Sequence, residues 1–271
     1  MLDIIKSIIL GIIQGFTEWL PISSTGHMIL ADEFIKLQVS EEFFSVFLVV
    51  IQFASILAVI LIFFKKLFPW GFNKTKAETK ATFNLWIMIL IGCLPAGVIG
   101  ILFDEKIEAL FFNPWTVAIT LILYGIIFIV IETVNKTKAP KVQTISGITY
   151  RTALLIGVFQ VLALIPGTSR SGATIIGGLL LGLDRKTAAS YTFYLAVPVM
   201  AGASLLKLLK FGLSFSTTEI MILLAGMLSA FLVSVLAISF LLKYIKKHDF
   251  KVFGYYRIGL GIIVLLYFFL K

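Results

Sequence analysis

The chain has 271 residues, of which 59% are hydrophobic and 14% are charged, and its mean hydropathy is +1.05. Soluble domains have roughly 45–50% apolar and about 25% charged residues, so this composition excludes a soluble globular protein and indicates an integral membrane protein. The single cysteine, Cys93, excludes an internal disulfide and a thiolate metal cluster, and the net charge of +9 comes from basic residues between apolar segments, which indicates membrane orientation and no nucleic-acid binding.

The first apolar stretch, residues 1–31, is broken by Pro21 and the following ISSTGH. Its polar residues, among them Asp3 and Gln14, argue against a cleaved secretory signal. Proline removes a backbone donor and pushes the preceding residue out of helical geometry, so we predict two short helices around a turn. A re-entrant hairpin is the natural interpretation, because non-helical backbone at membrane depth needs surrounding protein or a water-filled cavity.

Three apolar segments then follow that are long enough to span a bilayer, and a second broken stretch, residues 152–183, contains Pro166 and GTSRSGAT. Three further spans complete the chain, and alternating ten-residue segments typical of a membrane barrel are absent from the sequence. The six predicted spans are 43–64, 83–103, 115–134, 187–206, 220–242 and 254–270. The predicted fold is therefore a single all-α integral membrane domain of six transmembrane helices plus two re-entrant helical hairpins.

The two broken stretches resemble each other. GIIQGFTEWLPISSTGH, from Gly11, and GVFQVLALIPGTSRSGA, from Gly157, both read G-x-x-Q, an apolar run, a proline and a hydroxyl-rich turn. Each is followed by three spans, so we predict two repeats, about 1–134 and 152–271. Because three is odd, the second repeat is inverted. Broken helices that meet near the midplane in inverted repeats are typical of transporters and mark a binding site.

The basic residues predict the orientation of this fold. Residues 65–82, 135–151, 184–186 and 243–251 hold 15 lysines and arginines, and the opposite side holds six. Arg170 and Arg257 lie in broken or spanning segments and are outside this count. The excess predicts that the four basic segments face the cytoplasm and that both termini lie outside.

Arg170 is the most informative residue, because an arginine in mid-membrane costs roughly 2.5–3.5 kcal/mol on insertion scales. One interpretation pairs it with a carboxylate or with helix C-terminal carbonyls. The other is an anion clamp, because the guanidinium fork matches two phosphate oxygens and a following helix, starting near Ala173, directs its amides at the same spot. The neighbours that let the backbone turn or donate hydrogen bonds to such an anion are Gly167, Thr168, Ser169, Ser171, Gly172 and Thr174.

The first hairpin carries an acid and base set. Gln14 and Glu18 are four residues apart and share a helix face, and their oxygens suit a magnesium or calcium ion. His27 is either a helix-packing residue or an acid or base near the second break. The hydroxyls of Ser23 and Ser24 are each a nucleophile, a phosphate donor or a helix cap, and Thr25 is a candidate substrate contact.

These motifs resemble those of a known family. QGFTEWLPISSTGH is similar to a (Glu/Gln)-x-x-x-Glu motif followed by SSTGH, and PGTSRSGAT to the PGxSRSxxT motif, of bacterial undecaprenyl-diphosphate phosphatases of the UppP type, also called bacitracin resistance proteins. The stretch DRKTAASYTFYLAVP, from Asp184, also looks like this family, so the resemblance covers nearly the whole chain.

The resemblance implies a phosphatase of the bacterial cytoplasmic membrane that converts undecaprenyl diphosphate to undecaprenyl phosphate, recycles the lipid carrier for peptidoglycan synthesis and confers bacitracin resistance. It implies six spans with two inverted re-entrant hairpins, a site open to the outer side, and a divalent cation. By the same resemblance Glu18 binds metal or acts as base, His27 is catalytic, and Arg170 holds the diphosphate. Ser169 and Thr174 contact it, and Gln14 occupies the first acidic position of the motif.

Two questions stay open at this stage. The nucleophile is either water activated by His27 or Glu18, or the hydroxyl of Ser24 with His27 as base. The alternative function is a transporter or flippase of an anionic lipid, because inverted repeats and an arginine also suit binding without chemistry. The expected partners are a lipid-linked diphosphate and membrane lipid, and a homodimer is one oligomeric state that the sequence leaves open.

Overall fold

The structure is a computed structural model that describes residues 1–71, 74–212 and 214–271, with the side chain of residue 104 left out. Residues 72–73 of the predicted cytoplasmic segment 65–82 therefore lie outside the described residues. Within the described ranges the fold is helical, and the one isolated bridge, between Val142 and Leu183, belongs to no strand.

Six helices of the described chain are long and apolar enough to cross a membrane, which confirms the six predicted spans. They share mean hydropathies between 1.6 and 2.8 in their most apolar windows. Their bounds are α3, Glu41–Ile62; α5, Lys76–Phe111; α6, Pro114–Asn135; α9, Arg185–Phe211; α10, Thr217–Tyr244; and α11, Lys251–Leu270.

Most of these helices extend beyond the predicted apolar windows, because polar caps lie outside the hydrophobic run. Thr75 and Glu78 form a capping box that starts α5, and Ser216 and Glu219 do the same for α10. The first span ends earlier than predicted, at Ile62, and the chain continues as a single helical turn, α4, Phe64–Leu67.

Each broken stretch folds as two short helices, as predicted. The first forms α1, Leu2–Thr17, and α2, Ser24–Phe34. The second forms α7, Tyr150–Val161, a 3₁₀ turn at Leu162–Leu164, and α8, Arg170–Leu180. The helix expected near Ala173 begins three residues earlier, because Ser169 caps it, so Arg170 lies in its first turn. Re-entry into the membrane stays a prediction.

The first helix of each hairpin packs on a long helix, and the two contacts are alike. Gly11 of α1 lies against the backbone of Gly226 on α10, and Gly157 of α7 lies against the backbone of Gly92 on α5. Small residues let helix backbones approach closely in membranes. The helices α3 and α9 pack on each other, as do α6 and α11. The inverted repeat stays a prediction, and this pattern of paired contacts agrees with it.

The pair α6 and α11 is antiparallel. Gly254 of α11 lies against the carbonyl of Gly125, and Gly261, two turns further along α11, lies against the carbonyl of Ala118, earlier in α6. This pair supports α2 and α8, because both short helices contact α6. The two turns before α2 and α8 therefore lie inside the helix bundle.

Candidate active site

The turns of the two hairpins have the same unusual backbone. Ser23 and Ser169 have φ angles of 73° and 72°, a left-handed conformation that non-glycine residues rarely adopt. Each serine caps the helix that follows, and its hydroxyl accepts a hydrogen bond from the amide of Gly26 (3.3 Å) or of Gly172 (3.1 Å). Such strain persists where the surrounding structure fixes it, which is common at functional sites.

Arg170 and Glu18 join the two hairpins through an ion pair. Arg170 Nη2 lies 3.0 Å from Glu18 Oε1, and the two side chains are only 12% and 8% exposed. Arg170 Nη1 donates to the carbonyl of Thr192 on α9 at 2.8 Å. Its Nε is buried and has no partner among the described residues. The carboxylate partner that sequence analysis raised for Arg170 is therefore Glu18, from the opposite repeat, and the anion clamp stays a prediction.

Glu18 also binds the side chains of its own hairpin. Gln14 donates its Nε2 to Glu18 Oε2 at 3.1 Å, and Ser24 donates its hydroxyl to the same oxygen at 2.8 Å. The predicted sharing of a helix face by Gln14 and Glu18 is thus present. The structure brings four predicted site residues, Gln14, Glu18, Ser24 and Arg170, into one buried cluster.

His27 lies outside this hydrogen-bonded cluster. Its Nδ1 is 2.7 Å from the carbonyl oxygen of Ser23, and its Nε2 is 2.7 Å from the hydroxyl of Tyr256 on α11. A carbonyl only accepts, so Nδ1 carries the proton in the neutral ring and Nε2 accepts from Tyr256. In the part of the chain that the structure describes, the base that contacts the Ser24 hydroxyl is Glu18, and His27 has no hydrogen bond to Ser24.

The remaining residues of the second motif hold the turn together. Ser171 donates to the carbonyls of Glu18 (3.3 Å) and Leu20 (3.2 Å), so it links this turn to the first hairpin. Thr174 binds the hydroxyl of Thr192 at 2.9 Å, and Ser169 binds that of Ser171 at 3.1 Å.

Three further predicted positions differ in their surroundings. Gly167 has a φ of 84°, and a Cβ there would lie 2.1 Å from the Thr120 hydroxyl, so the turn requires glycine. The hydroxyl of Thr168 is buried and has no partner among the described residues. Thr25 is half-buried and makes no side-chain hydrogen bond within the described ranges.

Arg257, which belongs to neither sequence motif, binds both turns. It belongs to α11, and its side chain is fully buried. It donates to the carbonyls of Gly167 (2.8 Å) and Thr168 (3.0 Å) in one turn and of Pro21 (3.2 Å) in the other. An arginine inside an apolar span was the available signal, because such residues are costly and usually functional.

Three other residues of the site were also missed. Thr192 accepts from Arg170, Tyr256 binds His27, and the indole of Trp19 lies 5.6 Å from the Arg170 guanidinium. None of the three lies in a hydroxyl-rich turn. Thr192 and Tyr256 belong to transmembrane helices, so only tertiary packing brings them to the site.

The cluster suits anion binding better than a metal cage. Within the described residues no three or more histidine, cysteine or acidic side chains group around one point. Glu18 is the one carboxylate here, and both of its oxygens already accept hydrogen bonds. Magnesium is often held by one or two carboxylates together with substrate phosphates. The Glu18 carboxylate and the side-chain oxygen of Gln14 fit a cation that is also bound by a phosphate ligand.

Comparisons with known proteins agree on one family. Residues 7–263 match the family described as bacitracin resistance protein BacA. The chain is 60% identical to an undecaprenyl-diphosphatase of Desulfitobacterium hafniense, over 99% of this chain and 97% of that protein. It is 61% identical to undecaprenyl-diphosphatase 1 of Clostridium acetobutylicum, over 98% of each chain, and 51% identical to an undecaprenyl-diphosphatase of Streptococcus mutans, over 98% and 96%.

Proposed function

The chain belongs to the family of bacitracin resistance proteins BacA, and we propose that it hydrolyses undecaprenyl diphosphate to undecaprenyl phosphate and inorganic phosphate. This reaction recycles the lipid carrier for peptidoglycan synthesis and gives resistance to bacitracin. The observation that carries the proposal, beside the family, is the buried cluster in which Arg170 meets Glu18 and Ser24. A buried cation beside a carboxylate and a hydroxyl can bind a diphosphate and also transfer a phosphoryl group.

Substrate binding rearranges the ion pair in this proposal. The terminal phosphate takes the place of Glu18 at Arg170 Nη2, and the unpartnered Nε supplies the second donor of a bidentate contact. The Thr192 carbonyl continues to hold Nη1, which fixes the guanidinium plane. Glu18 leaves Arg170 in this exchange, which frees its Oε1 for another ligand while its Oε2 continues to accept from the Ser24 hydroxyl.

Ser24 is the nucleophile that the geometry favours. Its hydroxyl already donates to Glu18 at 2.8 Å, within reach of a general base. Ser24 Oγ attacks the terminal phosphorus, and its proton passes to Glu18. The bond from that phosphorus to the bridging oxygen breaks, and undecaprenyl phosphate leaves with the oxygen. Water then hydrolyses the phosphoserine. Arg170 stabilises the charge on the transferred phosphoryl group throughout.

Direct attack by water is the other route, and the two are separable. On the Ser24 route, acid quench of a reaction with substrate labelled in its terminal phosphate yields labelled Ser24, and Ser24→Ala loses phosphate release by about 10³-fold or more. Ser23→Ala, which removes the side-chain cap of α2, should retain activity within about tenfold, because a lost cap costs about 1 kcal/mol of stability and the Ser24 hydroxyl stays in place. Full activity of Ser24→Ala would establish the water route.

His27 acts in proton transfer with Tyr256 in this proposal. Its Nε2 accepts from the Tyr256 hydroxyl, and its Nδ1 is fixed by the Ser23 carbonyl, so the ring has one tautomer and one orientation. A histidine held in this way at the start of α2 can pass a proton between the site and the outer side of the membrane.

A magnesium or calcium ion is the cofactor that we propose, held by Glu18 and Gln14 together with the substrate phosphates. When bound, it neutralises charge that develops on the phosphoryl oxygens. The protein spans the membrane several times, and we propose that it lies in the bacterial cytoplasmic membrane with its site open to the outer side. That orientation rests on the excess of basic residues in the predicted cytoplasmic segments.

Release of inorganic phosphate from undecaprenyl diphosphate by the detergent-purified protein tests the function. We expect release with magnesium or calcium and its loss with EDTA. Arg170→Ala should abolish release in the fraction that elutes as folded protein, which is measured separately because Glu18 loses its buried cation. Arg151→Ala, at an exposed position at the start of α7, should be active. No release under any metal condition would overturn the phosphatase and favour a transporter of phosphorylated lipid.

A further inference from the structure

The transmembrane helices α5 and α9 pack tightly beside the candidate active site. A Cβ on Gly92 of α5 would lie 2.7 Å from the Leu195 side chain and 2.9 Å from the Tyr191 hydroxyl of α9. Thr192, which accepts from Arg170, lies between these two residues of α9. The contact between α5 and α9 is therefore at the level of the diphosphate site.

Further along α5 and α9, the small residues of the two helices have open space beside them. Gly97 lies one turn after Cys93, whose Sγ is 3.8 Å from the Leu195 carbonyl, and Gly202 lies two turns after Leu195. A Cβ added at Gly97 or Gly202 would meet no atom within 4 Å. The exposed fraction along this face of α9 rises from 0% at Leu195 to 67% at Leu209. We call the open space beside Gly97 and Gly202 the α5–α9 cleft.

Each helix contains a proline shortly before the glycine that has open space beside it. Pro95 lies inside α5 and Pro198 inside α9. An internal proline removes one helical hydrogen bond and bends the helix. The hairpin borders the cleft beyond Gly97, because a Cβ on Gly100 would lie 3.6 Å from Leu164 in the 3₁₀ turn.

The corresponding helices of the other predicted repeat, α10 and α3, stay tightly packed. A Cβ on Gly226 of α10 would lie 2.6 Å from the ring of Phe47 and 3.1 Å from Ile51 of α3. Ala58, two turns after Ile51, is 0% exposed. Phe231 follows Gly226 by five residues, as Gly97 follows Gly92, and it packs on two apolar clusters of the core. The volume that Phe231 fills on one side of the molecule is thus open at Gly97 on the other.

We propose that the α5–α9 cleft holds the prenyl chain of the substrate next to its diphosphate. This inference rests on the proposed function. A diphosphate bound to Arg170 carries a covalently attached apolar chain, which needs an apolar path out of the polar site. The cleft begins one turn from Thr192, is lined by glycines and leucines, and opens towards lipid at Leu206 and Leu209, which are 55% and 67% exposed. The closed face between α3 and α10 offers no such path.

A larger side chain in the cleft should impair hydrolysis of a long prenyl diphosphate but not of a short one. Gly97→Phe places there the side chain that closes the other repeat. We expect kcat/KM for undecaprenyl diphosphate to fall about tenfold or more, because the buried methylenes of the chain are displaced. Hydrolysis of dimethylallyl diphosphate, which has a single isoprene unit, should stay within about twofold. Gly202→Leu should behave in the same way, and Val98→Phe, on the lipid-facing side of α5, should leave both activities unchanged.

An equal loss for both substrates, or no loss for either, would overturn the cleft and leave the phosphatase intact. A second measurement needs no hydrolysis and no variant. A short prenyl diphosphate, with a benzophenone attached one or two isoprene units from the diphosphate, should label peptides from residues 95–103 and 198–209 of the wild-type protein. Labelling confined to α3 and α10 would overturn the cleft, whether the protein acts as a phosphatase or as a transporter. Labelling of the cleft without phosphate release would overturn the proposed function alone.

Discussion

Arg170 and Arg257 both carry a guanidinium into the apolar bundle, and their partners differ in kind. Arg170 pairs with a carboxylate and has a buried Nε without a partner among the described residues. Arg257 donates only to backbone carbonyls, and these come from both hairpin turns and from α6. A partner that can be exchanged suits substrate binding, whereas a set of carbonyls suits a residue that positions the turns.

We therefore predict that Arg257→Lys lowers kcat. A lysine ammonium has three donors and no planar fork, so it cannot hold the carbonyls of Pro21, Gly167 and Thr168 in the same geometry. A displacement of about 1 Å at a catalytic group can cost about 10²-fold in rate. The measurement is kcat and KM for phosphate release beside the thermal midpoint in detergent.

The control for this prediction is Lys251→Arg, at the start of α11 and far from the turns, which should change neither quantity. A loss of activity that only follows the loss of folded protein would show that Arg257 supports the fold without positioning the turns. A lowered kcat at an unchanged thermal midpoint would support the positioning role.

The charged residues of the site are recognisable in the sequence, but their contacts are not. Arg170 and Glu18 stand out because their charge is costly in a membrane, but their contact joins residues 152 positions apart and depends on how the hairpins pack. The left-handed backbone of Ser23 and Ser169 has no local signal, because glycine or asparagine normally occupies such positions. Arg257 lies in a span without a motif, so its role follows only from its tertiary contacts.

At the scale of elements, one buried ion pair ties three transmembrane helices together at the predicted cytoplasmic end. Glu132 of α6 is 1% exposed, and Arg185 at the start of α9 approaches it to 2.6 Å. The amide of Phe250, just before α11, donates to the same carboxylate at 3.0 Å. The long helices were predictable from hydropathy, but this connection was not, because it joins helix ends that are distant in sequence.

Removal of Arg185 should destabilise the bundle without changing the chemistry. Arg185→Ala leaves the Glu132 carboxylate buried without its cation, and breaking such a pair costs about 3 kcal/mol. We expect a lower thermal midpoint in detergent and an unchanged KM for the folded fraction. Lys186→Ala, the exposed neighbour on the same turn, is the matched control. Equal midpoints for the two variants would contradict the prediction.

At the scale of the whole molecule, the two predicted repeats have the same helix contacts and different degrees of closure. The contact of Gly226 with Phe47 corresponds to that of Gly92 with Tyr191, yet only the second pair is followed by an open cleft. Proline in both helices and glycine in place of Phe231 account for the difference. The sequence similarity of the hairpins predicted the repeat, whereas the asymmetry follows from single side chains in the spans.

The orientation of the whole molecule is testable at the two ends of α10. Thr218 and Lys247 are both exposed, and the excess of basic residues predicts that Thr218 faces outward and Lys247 faces the cytoplasm. In a Cys93→Ser background, a membrane-impermeant maleimide applied to intact cells should label Thr218→Cys. It should label Lys247→Cys only after the membrane is permeabilised. The reverse labelling would place the α5–α9 cleft in the cytoplasmic half of the membrane and would contradict the proposed orientation of the site.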